Sequence, residues 1–585
     1  MLVYGDRSEK ADPRLRLRDL DAQLTAVASM DAGLARHSAL TDALIEGGRI
    51  LQGVADADFA AKGCDRRTVA SDALMQFLLS IARELCRSWD TGFALALRME
   101  APPDGLDLPD SITMRVPEGY AFYALYPEAY AEAARSLKLA GPVTVIGLRS
   151  IGTSLAAITA AAIGASSLVT LRPFGDAYAR QVAISDALAR VLLSDSDGQF
   201  VIVDEGPGLS GSSFGAVADW LEDHGVAEDR LIALPSHGGS LGLHASERHR
   251  KRWPRIRRSI ASFEDGFPEL LSIWAKGTLG TIEDISHGQW RKRVYATAAD
   301  WPPVCPTWER RKFTCSSGGR SCLLKFAGLG REGESKLERA RVLHAAGLTP
   351  EPLGLLHGFL VERWHDEALP LPATSKPLAQ LARYIGARAR LLHAREESGA
   401  SLDGFLTMIR RNVGLSLGRR ALPQADFWAE RLPRLERLTA RTQTDNRLDR
   451  HEWLQLPGGR LLKSDALDHC QSHDLVGCQD VSWDVAGATI EFDLDPREAS
   501  WLAAEVGRVA GRLIDPDLLQ FMTLAYLAFR LGQATLSSEM SAGDQAERRR
   551  LDTLAGQYRK RLEARVQTRP APASPQDSSR DAVEQ

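Results

Sequence analysis

The chain reads as an α/β multidomain protein on three observations: a helical N-terminal region, a series of short buried strands alternating with helices, and a second half in which paired short strands precede long helical stretches. The first rests on residues 15–95, where Leu40, Ala43, Leu44, Ile50, Leu51 and Val54 recur at helical spacing. The second rests on Val143–Gly147 (VTVIG), Ser167–Leu171, Phe200–Val203 (FVIV) and Leu231–Leu234, whose short crossovers require a parallel, right-handed sheet. The third rests on Arg311–Cys315 and Cys322–Phe326 around a Ser-Ser-Gly-Gly-Arg turn, an α+β beginning. The division expected is a helical region at 1–116, a parallel-sheet domain at 117–245, a basic helical linker at 246–305, an α+β domain at 306–565 and a disordered tail at 566–585.

Composition narrows the class. With 585 residues, 44% apolar and 25% charged, the chain has the make-up of a globular protein of about three or four domains. A net charge of −4 gives no general nucleic-acid footprint. No apolar run approaches the roughly 18 residues that span a bilayer, and the polar start MLVYGDRSEKADPR lacks a signal peptide's apolar centre. A cytoplasmic protein acting on small molecules is expected, with no membrane partner. Seven cysteines without a repeating framework fit reduced thiols. A homodimer is compatible with this plan.

In the N-terminal region, Asp56, Asp58, Asp65 and Asp72 read as a solvated helical face rather than a metal site. From Pro117 the text PEGYAFYALYPEAYAEAARSL predicts a Tyr-rich helix leading into the strand at Val143. After that strand come Arg149, Ser150, Ile151 and Gly152 and an Ala-rich helix to Ala165. After the strand Phe200–Val203 come two acids, Asp204 and Glu205, and then a run of small residues including Ser210, Gly211, Ser212 and Ser213 that opens the helix Gly215–His224. Acids at a strand's carboxyl end stand where open α/β sheets bind ligands, and loop amides at a helix start can cradle phosphate. Gly211 reads as a backbone that approaches phosphate too closely for a side chain.

This order of strand, acidic pair, small-residue loop and helix resembles the ribose-phosphate loop of type I phosphoribosyltransferases. The resemblance covers about residues 117–245. It implies that Asp204 and Glu205 hold the ribose hydroxyls of phosphoribosyl pyrophosphate, that Leu209 to Ser213 hold its 5-phosphate, and that Arg149, Ser150 and Gly152 meet the pyrophosphate with Mg²⁺. Arg172 and Arg180 are further phosphate candidates. The loop is one residue longer than the family's and carries Pro207.

The run RHRKRWPRIRR (248–258), with Trp253, is the densest basic stretch and reads as a solvated helix and linker. Pro302, Pro303 and Pro306 then mark a boundary.

In the second half, Lys325 lies inside the strand Cys322–Phe326, and the helix Gly333–Ala346 supplies Glu334 and Glu338 as its candidate partners. Leu355–Trp364 reads as a strand pair running into a hinge. Further on come Asp445, the strand Gly459–Lys463, Asp465, and Asp484 within Val481–Ala488. Together these resemble aminoglycoside and choline kinase-like phosphotransferases, over about residues 306–565. The resemblance implies ATP and Mg²⁺, with Lys325 and Glu338 binding nucleotide, Asp445 as base, Asp465 as metal ligand and Asp484 as organiser. The family's His-Gly-Asp signature is absent, and Glu452 or His451 stands where its asparagine belongs. His469, Cys470, His473 and Cys478 lie close together at a spacing that matches no standard zinc pattern.

The expected function is a phosphoribosyltransferase-type enzyme, using phosphoribosyl pyrophosphate with Mg²⁺, fused to a kinase-like ATP-binding domain that is active or silent. The alternative is a catalytically silent protein that senses a nucleotide or phosphoribosyl pyrophosphate.

Overall fold

In the computed structural model the described residues are 8–194, 197–208, 210–242, 244–394, 398–422, 426–472, 476–541 and 543–567. Leu209, His473 and the tail from Pro570 lie outside them.

Three helices open the chain: α1 (Pro13–Ser29), α2 (Leu34–Lys62) and α3 (Val69–Asp90). Each boundary has a local cause. Asp12 caps α1 with Pro13 at its first position, Gly63 ends α2 in the left-handed region, and Thr68 with Ser71 forms a capping box on α3. The Tyr-rich segment forms two helices rather than one, α4 (Glu118–Phe122) and α5 (Pro127–Arg135). Pro127 is the reason: it lacks an N–H for a continuing helix but suits the first position of a new one.

Next comes a parallel sheet built from β1 (Val143–Leu148), β2 (Ser167–Leu171), β5 (Gln199–Val203), β6 (Leu231–Leu234) and β7 (Arg257–Arg258), in the order β2-β1-β5-β6-β7. Helix α6 (Gly152–Ile163) follows β1. A small hairpin of β3 (Phe174–Asp176) and β4 (Ala179–Gln181) follows β2, and α7 (Ser212–Asp223) follows β5. Both faces are covered, which explains the continuous apolar strands. Val143, Val145, Val201, Val203, Ile232 and Leu234 point to one core, and Ile146, Leu148, Phe200, Ile202, Leu231 and Ala233 to another. The N-terminal helices belong to the first of these cores. Gly48 on α2 makes the approach to α6 close, since a Cβ there would come within 2.8 Å of Ser154 Cβ.

Of the basic run, Glu247–Arg252 forms a short helix and Arg257–Arg258 join the sheet as β7, paired with β6. Basic side chains of the run are tied down: Arg248 and Arg252 pair with Asp219 and Glu222 on α7, and Arg255 pairs with Glu228.

The second sheet is antiparallel. It comprises β8 (Glu283–Asp284), β9 (Lys312–Ser317), β10 (Arg320–Phe326), β11 (Pro352–Leu356) and β12 (Phe359–Arg363), in the order β8-β9-β10-β12-β11. Gly318 and Gly319, at φ 56° and 76°, make the two-residue turn joining β9 to β10. Helix α8 (Arg331–Ala345) lies between β10 and β11. Phe313, Leu324, Phe326 and Phe359 of this sheet share the core of the N-terminal helices. Below it are α9 (Leu378–Leu391), α10 (Leu402–Leu417), the strands β13 (Trp453–Gln455) and β14 (Leu461–Lys463), α11 (Ser482–Glu491), α12 (Pro516–Met540) and α13 (Gln545–Gln567). No helix among the described residues is long and apolar enough to cross a membrane.

Candidate functional site: two clefts

The first cleft opens at the carboxyl ends of β1 and β5, where the strand order reverses. It encloses about 790 Å³, and Ser150, Asp204, Glu205, Ser210, Ser212 and Ser213 are on its wall. Gly152 lets α6 start against the end of β5; a Cβ there would meet the Val203 carbonyl at 2.8 Å. Backbone geometry fixes the acids. The Tyr130 hydroxyl donates to the Asp204 carbonyl at 2.8 Å, and the Ser236 N–H donates to the Glu205 carbonyl at 2.7 Å. Glu205 Oε2 accepts from the Gly119 N–H at 3.1 Å. Burial pushes the Asp204 carboxyl up to about 7. Burial, with Glu118 and Asp204 adding repulsion, pushes Glu205 up to about 8. Such a pair favours a cationic or hydroxyl-bearing ligand.

The phosphate-loop expectations divide. The Ser210 and Ser212 hydroxyls donate to the Ala177 carbonyl at the tip of the β3–β4 hairpin, at 3.0 and 2.8 Å, so the loop is held closed by the chain itself. Gly211 is required by its turn alone, with φ 60° and Leu241 within 2.6 Å of a Cβ. Arg149 is on the cleft wall, but its charge is already engaged. Its guanidinium is buried and bonded to Asp56, to Asp65 and to the Thr170 carbonyl, because the N-terminal helices bring those acids to the end of β1. Arg172 is likewise held by Asp56. Asp56 and Asp65 are therefore interior ion-pair partners, whereas Asp58 and Asp72 make outer pairs with Arg66 and Arg67. Arg180 remains on the cleft wall.

The second cleft, about 870 Å³, lies between the antiparallel sheet and the helical layer. Lys325 on β10 meets Asp465, just past β14, at 2.6 Å, and also meets Asp468. Burial opposes the charge on Lys325, but the two aspartates outweigh it and hold the ammonium protonated. Burial also opposes the Asp465 carboxylate, which Lys325 and His469 hold well below the usual range. Glu362 on β12 lines the same cleft, and burial, opposed by Lys325, pushes its carboxyl up to about 8. A β-strand alternation placing Glu362 inward was the signal available for it.

Two expected residues sit elsewhere. Glu338 is exposed and faces Arg341, because the inward face of α8 is Gly333, Lys336, Arg339, Ala340 and Leu343. From that face Lys336, not a glutamate, reaches Asp468 at 3.1 Å. Asp445 is fully buried behind the cleft wall. It accepts from the Tyr384 hydroxyl, meets His469 Nδ1 at 3.0 Å and lies 3.4 Å from Lys463 Nζ. Burial would raise its carboxyl, yet Lys463, His469 and Arg388 hold it far below the usual range. Asp484 accepts the Asp445 and Asn446 N–H groups at 2.8 and 3.0 Å, which draws this loop inward. Glu452 pairs with Lys463 at 2.7 Å, and His451 stacks on Trp290. Asp449 lines the cleft, held by Arg447 and Arg530. His469 serves Asp445, and the Cys478 thiol contacts the Cys470 carbonyl, so the His/Cys cluster is a buried network.

The clefts share a wall. Thr307 and Arg311 face the first, while Trp308, Glu309, Arg310 and Lys312 face the second.

No protein-family model matches the chain, and no curated protein matches it. Several solved structures resemble part of it. The choline kinase LicA from Streptococcus pneumoniae is 12% identical, with 51% of this chain and 99% of that chain covered and a TM-score of 0.34. A thermostable mutant of the aminoglycoside phosphotransferase APH(4)-Ia is 17% identical over 51% of this chain and 98% of that one, with a TM-score of 0.33. A choline/ethanolamine kinase family protein from Mesorhizobium loti is 16% identical over 44% and 85%, with a TM-score of 0.31. At these identities and scores the functional reading depends on the geometry of the clefts themselves.

Proposed function

We propose that the second cleft binds ATP and belongs to a phosphotransferase-type domain. The observation that carries this reading is Lys325, a strand lysine kept charged at the bottom of a large cleft by two aspartates from the opposite layer. An ammonium held there offers a point charge to a nucleotide phosphate. Asp465, whose carboxylate faces the same cleft, offers the hard oxygen donors Mg²⁺ prefers and would hold the ion. When bound, Mg²⁺ would neutralise phosphate charge. Calorimetric titration of the full-length protein with ATP and Mg²⁺ tests the reading. Micromolar binding that Lys325→Met removes and Lys325→Arg partly keeps supports it; no heat with the unaltered protein ends it.

A silent nucleotide sensor is favoured over a fast kinase by one observation, the burial of Asp445 among Tyr384, His469 and Lys463. A base so placed is off the cleft wall and would have to be uncovered before it met a substrate hydroxyl. ATP binding with negligible ATP consumption supports the sensor.

For the first cleft the reading is a phosphoribosyl pyrophosphate site. Its support is Asp204 and Glu205 at the reversal of strand order, beside a small-residue loop that opens a helix. The two acids would orient ribose hydroxyls, and their oxygens also suit Mg²⁺. Opening the Ser210 and Ser212 contacts to Ala177 would free both hydroxyls for phosphate. Thermal-shift titration with phosphoribosyl pyrophosphate and Mg²⁺, with ribose 5-phosphate as comparison, tests it, since a ligand that binds only the folded state raises the melting temperature. No shift with either ends the reading.

A further inference from the structure

Behind the wall of the first cleft, on the far side of Tyr126, three parts of the chain distant in sequence meet at one buried point. His37 comes from α2, Glu128 from α5, and His357 from the turn between β11 and β12. Their ligand atoms all lie within 4.8 Å of one another. The exposures of His37, Glu128 and His357 are 0%, 1% and 3%. Around them stand Trp89 and Phe93, with ring centroids 5.8 and 4.7 Å from that of His37, and Tyr126 and Trp274, 5.2 and 4.9 Å from that of His357.

The orientation of the two imidazoles is the informative feature. His37 Nδ1 is bonded to the Ser88 hydroxyl at 2.9 Å, and His357 Nδ1 to the Ser38 hydroxyl at 2.8 Å. Each ring is thus fixed through its far nitrogen, and both Nε2 atoms turn toward Glu128. Metal-binding histidines are held in this manner, the second nitrogen being engaged by an outer partner. His357 also accepts a backbone cost to be there, with φ 41° on a residue that carries a Cβ.

Hydrogen bonding alone leaves the cluster incomplete. Glu128 Oε1 is 2.9 Å from His37 Nε2 and accepts from the Thr41 hydroxyl at 3.1 Å. His357 Nε2 stops 3.6 Å from the same oxygen. Glu128 Oε2 and His357 Nε2 have no hydrogen-bond partner among the described residues. An unbonded carboxylate oxygen beside an imidazole nitrogen with only that long contact is costly in so dry a place.

We infer that His37, Glu128 and His357 form a structural divalent-metal site, of the zinc class, that clips the N-terminal helices and the parallel-sheet region to the antiparallel sheet. Two imidazoles and one carboxylate are ligand types zinc takes, at about 2.0–2.2 Å, and with three protein ligands its fourth position is left to a water. A small closure of the three ligand atoms around an ion would engage both unpaired atoms. Binding would then be linked to folding, because the site joins segments that are far apart in the unfolded chain. This inference is independent of what either cleft binds.

The test uses the full-length protein without an affinity tag. Metal content is measured as purified, and the metal-stripped protein is then titrated with Zn²⁺ alone while thermal unfolding is followed. One zinc per chain, and a melting temperature that rises on Zn²⁺ addition, are expected. His357→Gln and Glu128→Gln should abolish both, whereas His469→Gln, in the second cleft, should leave both unchanged. Should the ligand variants not fold, Ser38→Ala and Ser88→Ala decide; loss of the outer bond is expected to weaken Zn²⁺ binding roughly 10–100-fold. Co²⁺ put in place of zinc should give visible absorption bands that His357→Gln removes. An unaltered protein that is metal-free and indifferent to Zn²⁺ would overturn the site, leaving a proton-sharing His-Glu-His network. So would a His357→Gln protein with undiminished zinc and the same Co²⁺ spectrum.

Discussion

The two clefts differ in what surrounds their acids. In the first, Asp204 and Glu205 are adjacent with no cationic side chain bonded to either carboxylate in the described structure, and burial raises both. In the second, the aspartates around Lys325 have basic partners: Asp465 and Asp468 have Lys325, Asp449 has Arg447 and Arg530, and Asp445, behind the wall, has Lys463 and His469. A ligand entering the first cleft meets carboxyls that burial has left without a bonded counter-charge. A ligand entering the second must compete with ion pairs already made. The difference bears on function, because the first site is poised for a cation or hydroxyls and the second for an anion that borrows Lys325 from its aspartates.

The variant expected to have the largest effect tests the second half of that comparison. Asp445→Asn should behave as a structural lesion and not as the loss of a base. It leaves Lys463 and His469 short of a buried carboxylate, and breaking one side of a buried pair costs about 3–5 kcal/mol. Denaturant unfolding of the full-length protein should show that loss, with ATP affinity of the folded fraction unchanged. A fully stable variant that has lost only ATP consumption would restore Asp445 as a catalytic group.

Gly211→Val comes next. Its φ of 60° and the nearness of Leu241 both oppose a branched side chain, so a loss of about 1–3 kcal/mol is expected. Unchanged stability with lost affinity for phosphoribosyl pyrophosphate would put a phosphate against that backbone after all.

How much of this was legible depended on whether a residue's neighbours were near in sequence. The strands Ser167–Leu171 and Leu231–Leu234 match the reading residue for residue, since a short apolar run between turn residues carries its own signal. The acids at the end of β5 and the Gly-Gly turn were legible for the same reason. Arg149 was not, because what decides its role is Asp56 and Asp65, some 90 residues earlier by chain position and held on other elements. Glu338 failed on helix phase: the inward face of α8 is set by Ala340 and Leu343 packing under the sheet, and that face carries Lys336. Asp445 was legible as a residue, but its burial was not. Only the fold shows Asp484 pulling its backbone inward. The helical preface was legible as helices, but its place in the core of two sheets depends on long-range packing that no local pattern encodes.

A smaller effect is expected in the first cleft, and its sign is informative. Both acids hold their protons more tightly in the folded chain than in the unfolded one. Between about pH 4 and pH 8 the folded state therefore carries the extra protons, and stability falls as pH rises. Asp204→Asn with Glu205→Gln removes that penalty. The double variant should be more stable than the unaltered protein at pH 8, by about 1–2 kcal/mol, and equal to it near pH 4. It should also lose affinity for phosphoribosyl pyrophosphate. Equal melting temperatures at both pH values would mean that the acids are well solvated and that the contrast between the clefts is weaker than drawn.

The smallest expected effect sharpens the comparison most, because it separates two candidate partners for Lys325. Glu338→Gln changes an exposed side chain on the outer face of α8, whose ion pair with Arg341 spans 3.7 Å. Exposed pairs of this kind contribute about 0–1 kcal/mol, so neither stability nor ATP affinity should move measurably. Glu362→Gln alters a buried carboxyl on the cleft wall that interacts with Lys325. At neutral pH that carboxyl is largely protonated already, so the glutamine should preserve affinity near pH 7. Above pH 8 the unaltered protein gains a negative charge beside the lysine while the variant does not, and their ATP affinities should part. Calorimetric titration of the three proteins at pH 7 and pH 9 measures both effects. A loss of more than about fivefold in Glu338→Gln, roughly 1 kcal/mol, would mean that α8 turns on nucleotide binding and brings Glu338 to the lysine, replacing Lys336 and its hold on Asp468.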